Sequence, residues 1–211
     1  MIKKIVIIGP ESTGKSTLCE QLAQHYGTVW CPEYAREYLL KNGTNYTFED
    51  LAEIAKGQLN LEETFIERVR KTGRRKDGKK DSGSVNTSSK LPDFQTSGLS
   101  DYPTSQLPVF LDTDMYVMKV WCEFVFGRCH QFILDEIVTR KYDLYLLCNT
   151  DLPWTKDELR EYPDFETRET LFKMYKDLLI NQSTPWVEIK GNNEQRLQMA
   201  IAATEQFLNE H

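Results

Sequence analysis

An α/β domain with a parallel sheet covered by helices on both faces is the fold this sequence predicts, and three observations carry the prediction. Short apolar runs alternate with helix-period stretches along the chain. The first run, Ile5–Ile8, passes through a glycine-containing turn straight into a helical pattern. A length of 211 residues suits one such domain better than two, so residues 1–211 are expected to form a single unit.

The elements follow in order. Ile5–Ile8 reads as a strand buried on both faces, and Leu18, Leu22 and Tyr26 then recur at helical spacing until Gly27. Val29-Trp30 reads as a second short strand, Pro32 breaks the chain, and Glu33–Leu40 and Phe48 to about Val69 are helical. Between residues 71 and 107 the sequence is dominated by Lys, Arg, Gly, Ser, Thr, Asp and Pro. That composition is too poor in apolar side chains to offset its ordering entropy, so 71–107 is expected to be a disordered insertion. Beyond it come a buried strand at Val109-Phe110-Leu111, helices around Met115–Phe126 and Gln131–Arg140, and a strand at Leu144–Cys148. A polar, proline-interrupted stretch from Asn149 to Glu166 leads to a helix at Thr167–Leu179, a last strand at Trp186–Ile189 and a closing helix at Glu194–Leu208.

Composition excludes several function classes. No apolar run approaches the roughly 18 residues a bilayer span requires, and Ile5–Ile8 is too short and wrongly flanked for a signal peptide, so a cytoplasmic protein is expected. The five cysteines carry no C-x-x-C or zinc-ligand spacing and read as reduced core thiols. A net charge of −6 and a pI near 5.2 argue against a nucleic-acid-binding domain. The one basic cluster (Arg68, Arg70, Lys71, Arg74, Arg75, Lys76, Lys79, Lys80) could bind an acidic partner or a nucleic-acid backbone, but lacks the interleaved aromatics that would stack bases and reads first as a solvated loop. No motif constrains the oligomeric state.

The chemistry sits in the first turn. Gly9-Pro10-Glu11-Ser12-Thr13-Gly14-Lys15-Ser16, followed by Thr17, satisfies G-x-x-x-x-G-K-[ST] between a strand and a helix, which is the context a phosphate-binding loop requires. The glycines let backbone N–H groups and a helix N-terminus face an anion, Lys15 reaches the β- and γ-phosphates of ATP, and the Ser16 hydroxyl ligates Mg²⁺. A P-loop NTPase is therefore expected, with Asp112 at a strand end completing the magnesium site directly or through water. Asp114 is either a helix cap or a substrate contact. Glu11 is the residue out of place, since an acid beside phosphates is unfavourable unless it faces away.

Two further groups of residues favour a small-molecule kinase over a simple ATPase. Glu33-Tyr34-Ala35-Arg36 follows the second strand, at the edge where open α/β sheets bind ligands. There Glu33 could take the proton of an attacking hydroxyl while Arg36 holds a substrate or phosphate. Arg160 and Arg168 lie in the polar, proline-interrupted Trp154–Arg168 segment between the fourth strand and the next helix, a position suited to a lid whose arginines neutralise the transferring phosphoryl group and exclude water. Tyr116, Trp121, Phe124 and Phe126 could stack on a ring, although aromatics at that spacing more often serve a core.

These residues also carry a resemblance. Gly-Pro-Glu-Ser-Thr-Gly-Lys-Ser-Thr at 9–17, Pro-Glu-Tyr-Ala-Arg-Glu-Tyr at 32–38, Ile-Ala-Lys-Gly-Gln at 54–58, Asp112-Thr113-Asp114, Pro153-Trp154 and Asp157-Glu158-Leu159-Arg160 resemble the ribosylnicotinamide kinase domain of the NadR family, a group often labelled AAA-type ATPases. The resemblance spans nearly the whole chain except the insertion. It implies ATP-dependent phosphorylation of the 5′-hydroxyl of nicotinamide riboside to nicotinamide mononucleotide in NAD salvage, with Glu33, Tyr34, Arg36 and Asp114 around the nucleoside. Members are often fused to an adenylyltransferase, whose H-x-G-H signature the three histidines here (His25, His130, His211) cannot form. A kinase for another nucleoside or small alcohol, and a nucleotide-dependent regulatory ATPase, remain the alternatives.

Overall fold

The computed structural model describes residues 2–76 and 107–210. Five strands form one sheet: β1 (Lys3–Ile8), β2 (Trp30–Cys31), β3 (Pro108–Asp112), β4 (Leu144–Cys148) and β5 (Trp186–Ile189). Every pairing is parallel, in the order β2-β3-β1-β4-β5. The strand between the two halves is thus β1, which carries the phosphate-loop sequence at its C-terminal end.

Alternation along β1 assigns each side chain to a layer. Ile5 and Ile7 point to a core shared with α1 (Lys15–Tyr26) and α7 (Asn193–Glu210), where Leu22, Ala23, Tyr26, Ala200 and Phe207 are buried. Val6 and Ile8 point the other way, onto Phe65 and Val69 of α3 (Phe48–Lys76), Val117 and Val120 of α4 (Met115–Phe126), and Leu171, Phe172, Tyr175 and Leu179 of α6 (Phe165–Ile180). All four β1 residues are fully buried, each contributing about 1.5–3 kcal/mol of apolar transfer. Burial on both faces is why the run is continuously apolar rather than alternating. A second layer of helices, α2 (Tyr34–Asn42) and α5 (Gln131–Thr139), packs on α3 and α4 around Ala35, Leu51, Ile54, Ala55, Met115, Met118 and Ile133.

The expected strands and helices are present within a few residues of their anticipated ends. The largest difference is α3, which runs on to Lys76 instead of stopping near Val69. Arg and Lys are good helix formers and propagate a helix past the end of its apolar stripe. Leu107 is buried against the fold. The segment expected to be disordered therefore loses 71–76 and Leu107 to the domain, and 77–106 lies outside the described residues. Arg70 and Lys71 pair with Glu67 on α3, and Arg68 stacks on Phe65. No helix among the described residues is long and apolar enough to cross a membrane. All five cysteines are free, four of them buried.

Candidate active site

β1 ends against the backbone of β4. A Cβ on Gly9 would lie 2.6 Å from the Cys148 carbonyl oxygen, so only glycine lets the chain turn there. The loop then closes on itself, with the Thr13 hydroxyl donating to the Pro10 carbonyl at 2.7 Å. Gly14 takes a left-handed conformation, φ 78°, as the N-cap of α1, and offers no side chain to cover the first N–H groups of that helix. Those donors and the helix dipole remain available to an anion in the adjoining cavity. Lys15 arches back over the loop, its Nζ donating to the Pro10 carbonyl at 3.0 Å. Arg196 of α7, buried behind the loop, donates to the carbonyls of Thr13 (2.9 Å), Asn149 (2.8 Å) and Gly191 (2.8 Å) and pairs with Asp151. Pulled outward in this way, the Thr13 carbonyl leaves the cavity side of the loop to N–H groups.

Asp112 is the last residue of β3, in register with Ile7 of β1, which sets its carboxylate beside the loop. Its Oδ2 accepts from the Ser16 hydroxyl at 2.5 Å, while Oδ1 is buried with no partner among the described residues. Burial raises its pKa, opposed by Lys15 and by the Ser16 hydrogen bond. An orphaned carboxylate oxygen beside a P-loop serine fits a hard divalent cation, which takes oxygen ligands and keeps several waters. Ser16 and Asp112 are the residues that would hold Mg²⁺. The next residue, Thr113, takes φ 102°, a left-handed conformation uncommon for a β-branched side chain.

Asp114 is a cap and does not line the cavity. Its Oδ1 accepts from the N–H groups of Tyr116 and Val117 at the start of α4, and its Oδ2 from the Tyr145 hydroxyl at 2.8 Å. Its burial among the helix and sheet leaves no surface for a substrate.

Glu33, by contrast, faces the cavity. It occupies the N-cap of α2 but its side chain makes no capping bond. Desolvation pushes its pKa up to about 7, with Asp112 and Glu11 adding to the rise and Lys15 and Arg36 opposing it. The segment bearing it is held from behind by Gln58 of α3, which accepts from the Tyr34 N–H at 2.7 Å and donates to the Pro32 carbonyl at 3.3 Å. The Tyr34 ring itself lies against Gly57 and away from the cavity, so its place in the site is structural. This is the physical content of the Ile-Ala-Lys-Gly-Gln stretch: Gly57 makes room for Tyr34 and Gln58 clamps the turn that aims Glu33.

The irregular segment 153–164 lies over the loop as a lid. Arg36 lines the cavity but forks onto Asp157, with both Nη–Oδ distances 3.1 Å, and so joins α2 to the lid. Arg160 lines the cavity and also donates to the Thr155 carbonyl. Arg168 is not on that face. It sits buried on α6, donates from Nη2 to the carbonyls of Thr150 (3.3 Å) and Leu152 (3.1 Å), and braces the loop leaving β4. Its spacing from Arg160 in the sequence is misleading because α6 begins between them, at Phe165.

The cavity bounded by these parts has a volume of about 470 Å³. At one end are the loop from Gly9 to Thr17 and Asp112, and its wall is completed by Trp121, Phe124, Tyr162 and Tyr175. Trp121 is oriented by an Nε1–H bond of 2.9 Å to the Tyr46 hydroxyl. Tyr116 packs on Tyr145 and Phe126 on Phe48, so α4 divides its aromatics between the core and the cavity. A helical aromatic stripe does not reveal that division by spacing alone. Arg196 carried no sequence signal as a site residue, and Gln58 only its place in the Ile-Ala-Lys-Gly-Gln motif, since each lies in an ordinary amphipathic helix.

The parallel sheet, the loop at the end of its central strand and the acid on the neighbouring strand define a P-loop phosphotransferase fold. The chain belongs to the AAA domain family, which it matches over residues 4–196. It is similar to the trifunctional NAD biosynthesis/regulator protein NadR of Salmonella typhimurium, at 23% identity over 193 residues. That alignment covers 90% of this chain and 38% of the relative, so the chain spans well under half the length of the protein it matches. Among solved structures, a NadR protein in complex with NR superposes with a TM-score of 0.68 at 20% identity, over 99% of this chain and 50% of that one. Thymidylate kinase from Ehrlichia chaffeensis superposes with a TM-score of 0.55 at 13% identity, over 96% of this chain and 98% of that one.

Proposed function

We propose that this chain is an ATP-dependent nucleoside kinase that phosphorylates the 5′-hydroxyl of nicotinamide riboside to give nicotinamide mononucleotide. One observation carries the reading. Five carboxyl groups line the cavity, those of Glu11, Glu33, Asp112, Asp157 and Glu161. Glu11 is taken by lid N–H groups, Asp112 by Ser16, Asp157 by Arg36 and Glu161 by the Tyr46 hydroxyl. Of these five, Glu33 alone has no hydrogen-bond partner among the described residues, and burial raises its pKa to about 7. A base of that strength can take the proton of an attacking hydroxyl or of water alike, and the aromatic wall formed by Trp121, Phe124, Tyr162 and Tyr175 favours a ring-bearing acceptor over water.

In this reading the backbone N–H groups of the loop and Lys15 hold the β- and γ-phosphates of ATP and stabilise the charge that builds up on the transferring group. Mg²⁺, held by Ser16 and Asp112, would supply further charge neutralisation. Glu33 accepts the proton of the attacking hydroxyl as the new P–O bond forms, and ADP leaves. Trp121 and Phe124 offer flat faces to the base of the acceptor. Arg160 contributes positive charge from the lid side. The NadR relatives, and a NadR structure containing NR, support nicotinamide riboside as the nucleoside.

An acceptor screen tests the reading. ADP release is followed with ATP, Mg²⁺ and a panel of nucleosides including nicotinamide riboside, which is expected to give the highest kcat/KM. A higher value with another nucleoside would reassign the acceptor, and stimulation by none of them would leave a nucleotide-dependent regulatory ATPase as the better description.

A further inference from the structure

Glu11 is an acid inside a loop built to bind anions, and its own repulsion of phosphate calls for a compensating role. Both of its oxygens are occupied by one distant segment. Oε1 accepts from the Trp154 indole N–H at 3.2 Å and from the Tyr162 N–H at 2.7 Å, and Oε2 accepts from the Glu161 N–H at 3.0 Å. Next to it, the Ser12 hydroxyl accepts from the Thr155 N–H at 2.9 Å, with Ser12 itself at φ 57°. One carboxylate therefore gathers both ends of the lid, at 154 and at 161–162, and draws them onto the phosphate loop. The intervening stretch becomes a closed loop, with Asp157 tied to Arg36 and with Arg160 directly preceding the pinned pair.

We propose that Glu11 is a positioning residue for Arg160. By fixing the peptide N–H groups of Glu161 and Tyr162 and the indole of Trp154, it sets where the Arg160 backbone leaves the lid, and hence which part of the cavity its guanidinium, held here on the Thr155 carbonyl, can reach. Three donors converging on one acceptor-only carboxylate are an arrangement that neither an amide nor a hydroxyl reproduces. Glutamate length is needed too, since the carboxylate must touch both ends of the lid at once. The inference rests on the phosphotransfer reading of the site, because it assigns Arg160 a part in stabilising the transferring group.

The test combines amide exchange with a kinetic double-mutant cycle. Hydrogen exchange at Glu161 and Tyr162 is measured in wild type, Glu11→Gln and Trp154→Phe, with the β1 and β4 amides as the check on global folding. Steady-state ADP formation with ATP, Mg²⁺ and nicotinamide riboside is measured for Glu11→Gln, Arg160→Ala and the double variant. Glu11→Gln should speed exchange at 161 and 162 while the strands stay protected, and Trp154→Phe should do so more weakly. It should also lower kcat by about tenfold to a hundredfold with little change in the KM for ATP, as when a catalytic group is displaced by about an ångström. Acting through Arg160, it should cost almost nothing further in the Arg160→Ala background. Unchanged exchange at 161 and 162 would overturn the pinning, and a full additional loss in the Arg160→Ala background would overturn the positioning role. Wild-type protein unstimulated by any nucleoside would instead refute the acceptor reading. Exchange would then still decide the pinning, and the same cycle run on ATP hydrolysis would decide the positioning.

Discussion

Asp112 and Glu33 are both raised in pKa by burial, yet they are engaged differently, and that difference separates their roles. Asp112 has spent one oxygen on Ser16 and keeps the other unpaired, as a ligand to a cation would. Asp112→Asn should therefore raise the Mg²⁺ concentration for half-maximal activity at fixed ATP by about tenfold or more, in line with the cost of disturbing a metal's protein ligands. An unchanged metal titration would reduce Asp112 to a partner of Ser16. Glu33 titrates near 7, so kcat/KM for the acceptor should rise with pH through that region as the group loses its proton, and Glu33→Gln should remove the rise along with most of the activity. The same shift has a stability consequence of opposite sense. A carboxyl raised from 4.5 to about 7 stabilises the fold fully below pH 4.5, and this contribution is lost as the pH climbs through 7, so Glu33→Gln should flatten the fall in stability over that interval. A pH profile of kcat/KM left unaltered by Glu33→Gln would assign the base elsewhere.

Among the elements, the contact of α2 with α3 decides how Glu33 is aimed. A Cβ at position 57 would lie 2.0 Å from Cε1 and 2.3 Å from Cδ1 of Tyr34, so Gly57→Ala cannot be accommodated without moving that ring and the turn before it. Alanine is favoured over glycine inside a helix by about 1 kcal/mol, but overpacking against a ring costs about 1–3 kcal/mol, and the packing cost should win. The melting temperature should fall by about 2–4 °C for each net kcal/mol. In a Tyr34→Ala background Gly57→Ala should no longer destabilise, and a fall in melting temperature there as large as in the Tyr34 protein would show that the clash lies elsewhere. Neither contact was legible before the fold. Gly57 and Gln58 stand in a helix whose apolar stripe accounts for its burial, and their partners at Pro32 and Tyr34 lie on another element. Glu11 is a sharper case, with donors 143 to 151 residues away in the chain. Local spacing made the phosphate loop readable because its chemistry is contained in eight consecutive residues. It could not show what the one odd residue within them was for.

For the molecule as a whole, the parallel sheet was readable because strands buried on both faces lose their alternation and become continuous apolar runs, as Ile5–Ile8 and Leu144–Cys148 do. Strand order was less accessible, since nothing local places β3 beside β1 and so brings Asp112 to the loop. The irregular stretch was legible from its prolines and polarity, but Arg168 was grouped with it although the helix expected at Thr167–Leu179 already held that residue, and the Asp164 cap, which accepts from the Thr167 N–H at 2.7 Å, starts α6 two residues earlier still, at Phe165. What the assembled parts are for comes down to whether a phosphoryl group reaches a nucleoside. The direct measurement is product analysis by mass spectrometry after incubation with ATP, Mg²⁺ and nicotinamide riboside. Wild type should yield ADP and nicotinamide mononucleotide in equal amounts. Lys15→Ala should lose about 2–4 kcal/mol of transition-state stabilisation and form both products at least tens of times more slowly. ADP formed at the same rate with and without the nucleoside, and no phosphorylated nucleoside, would contradict the account.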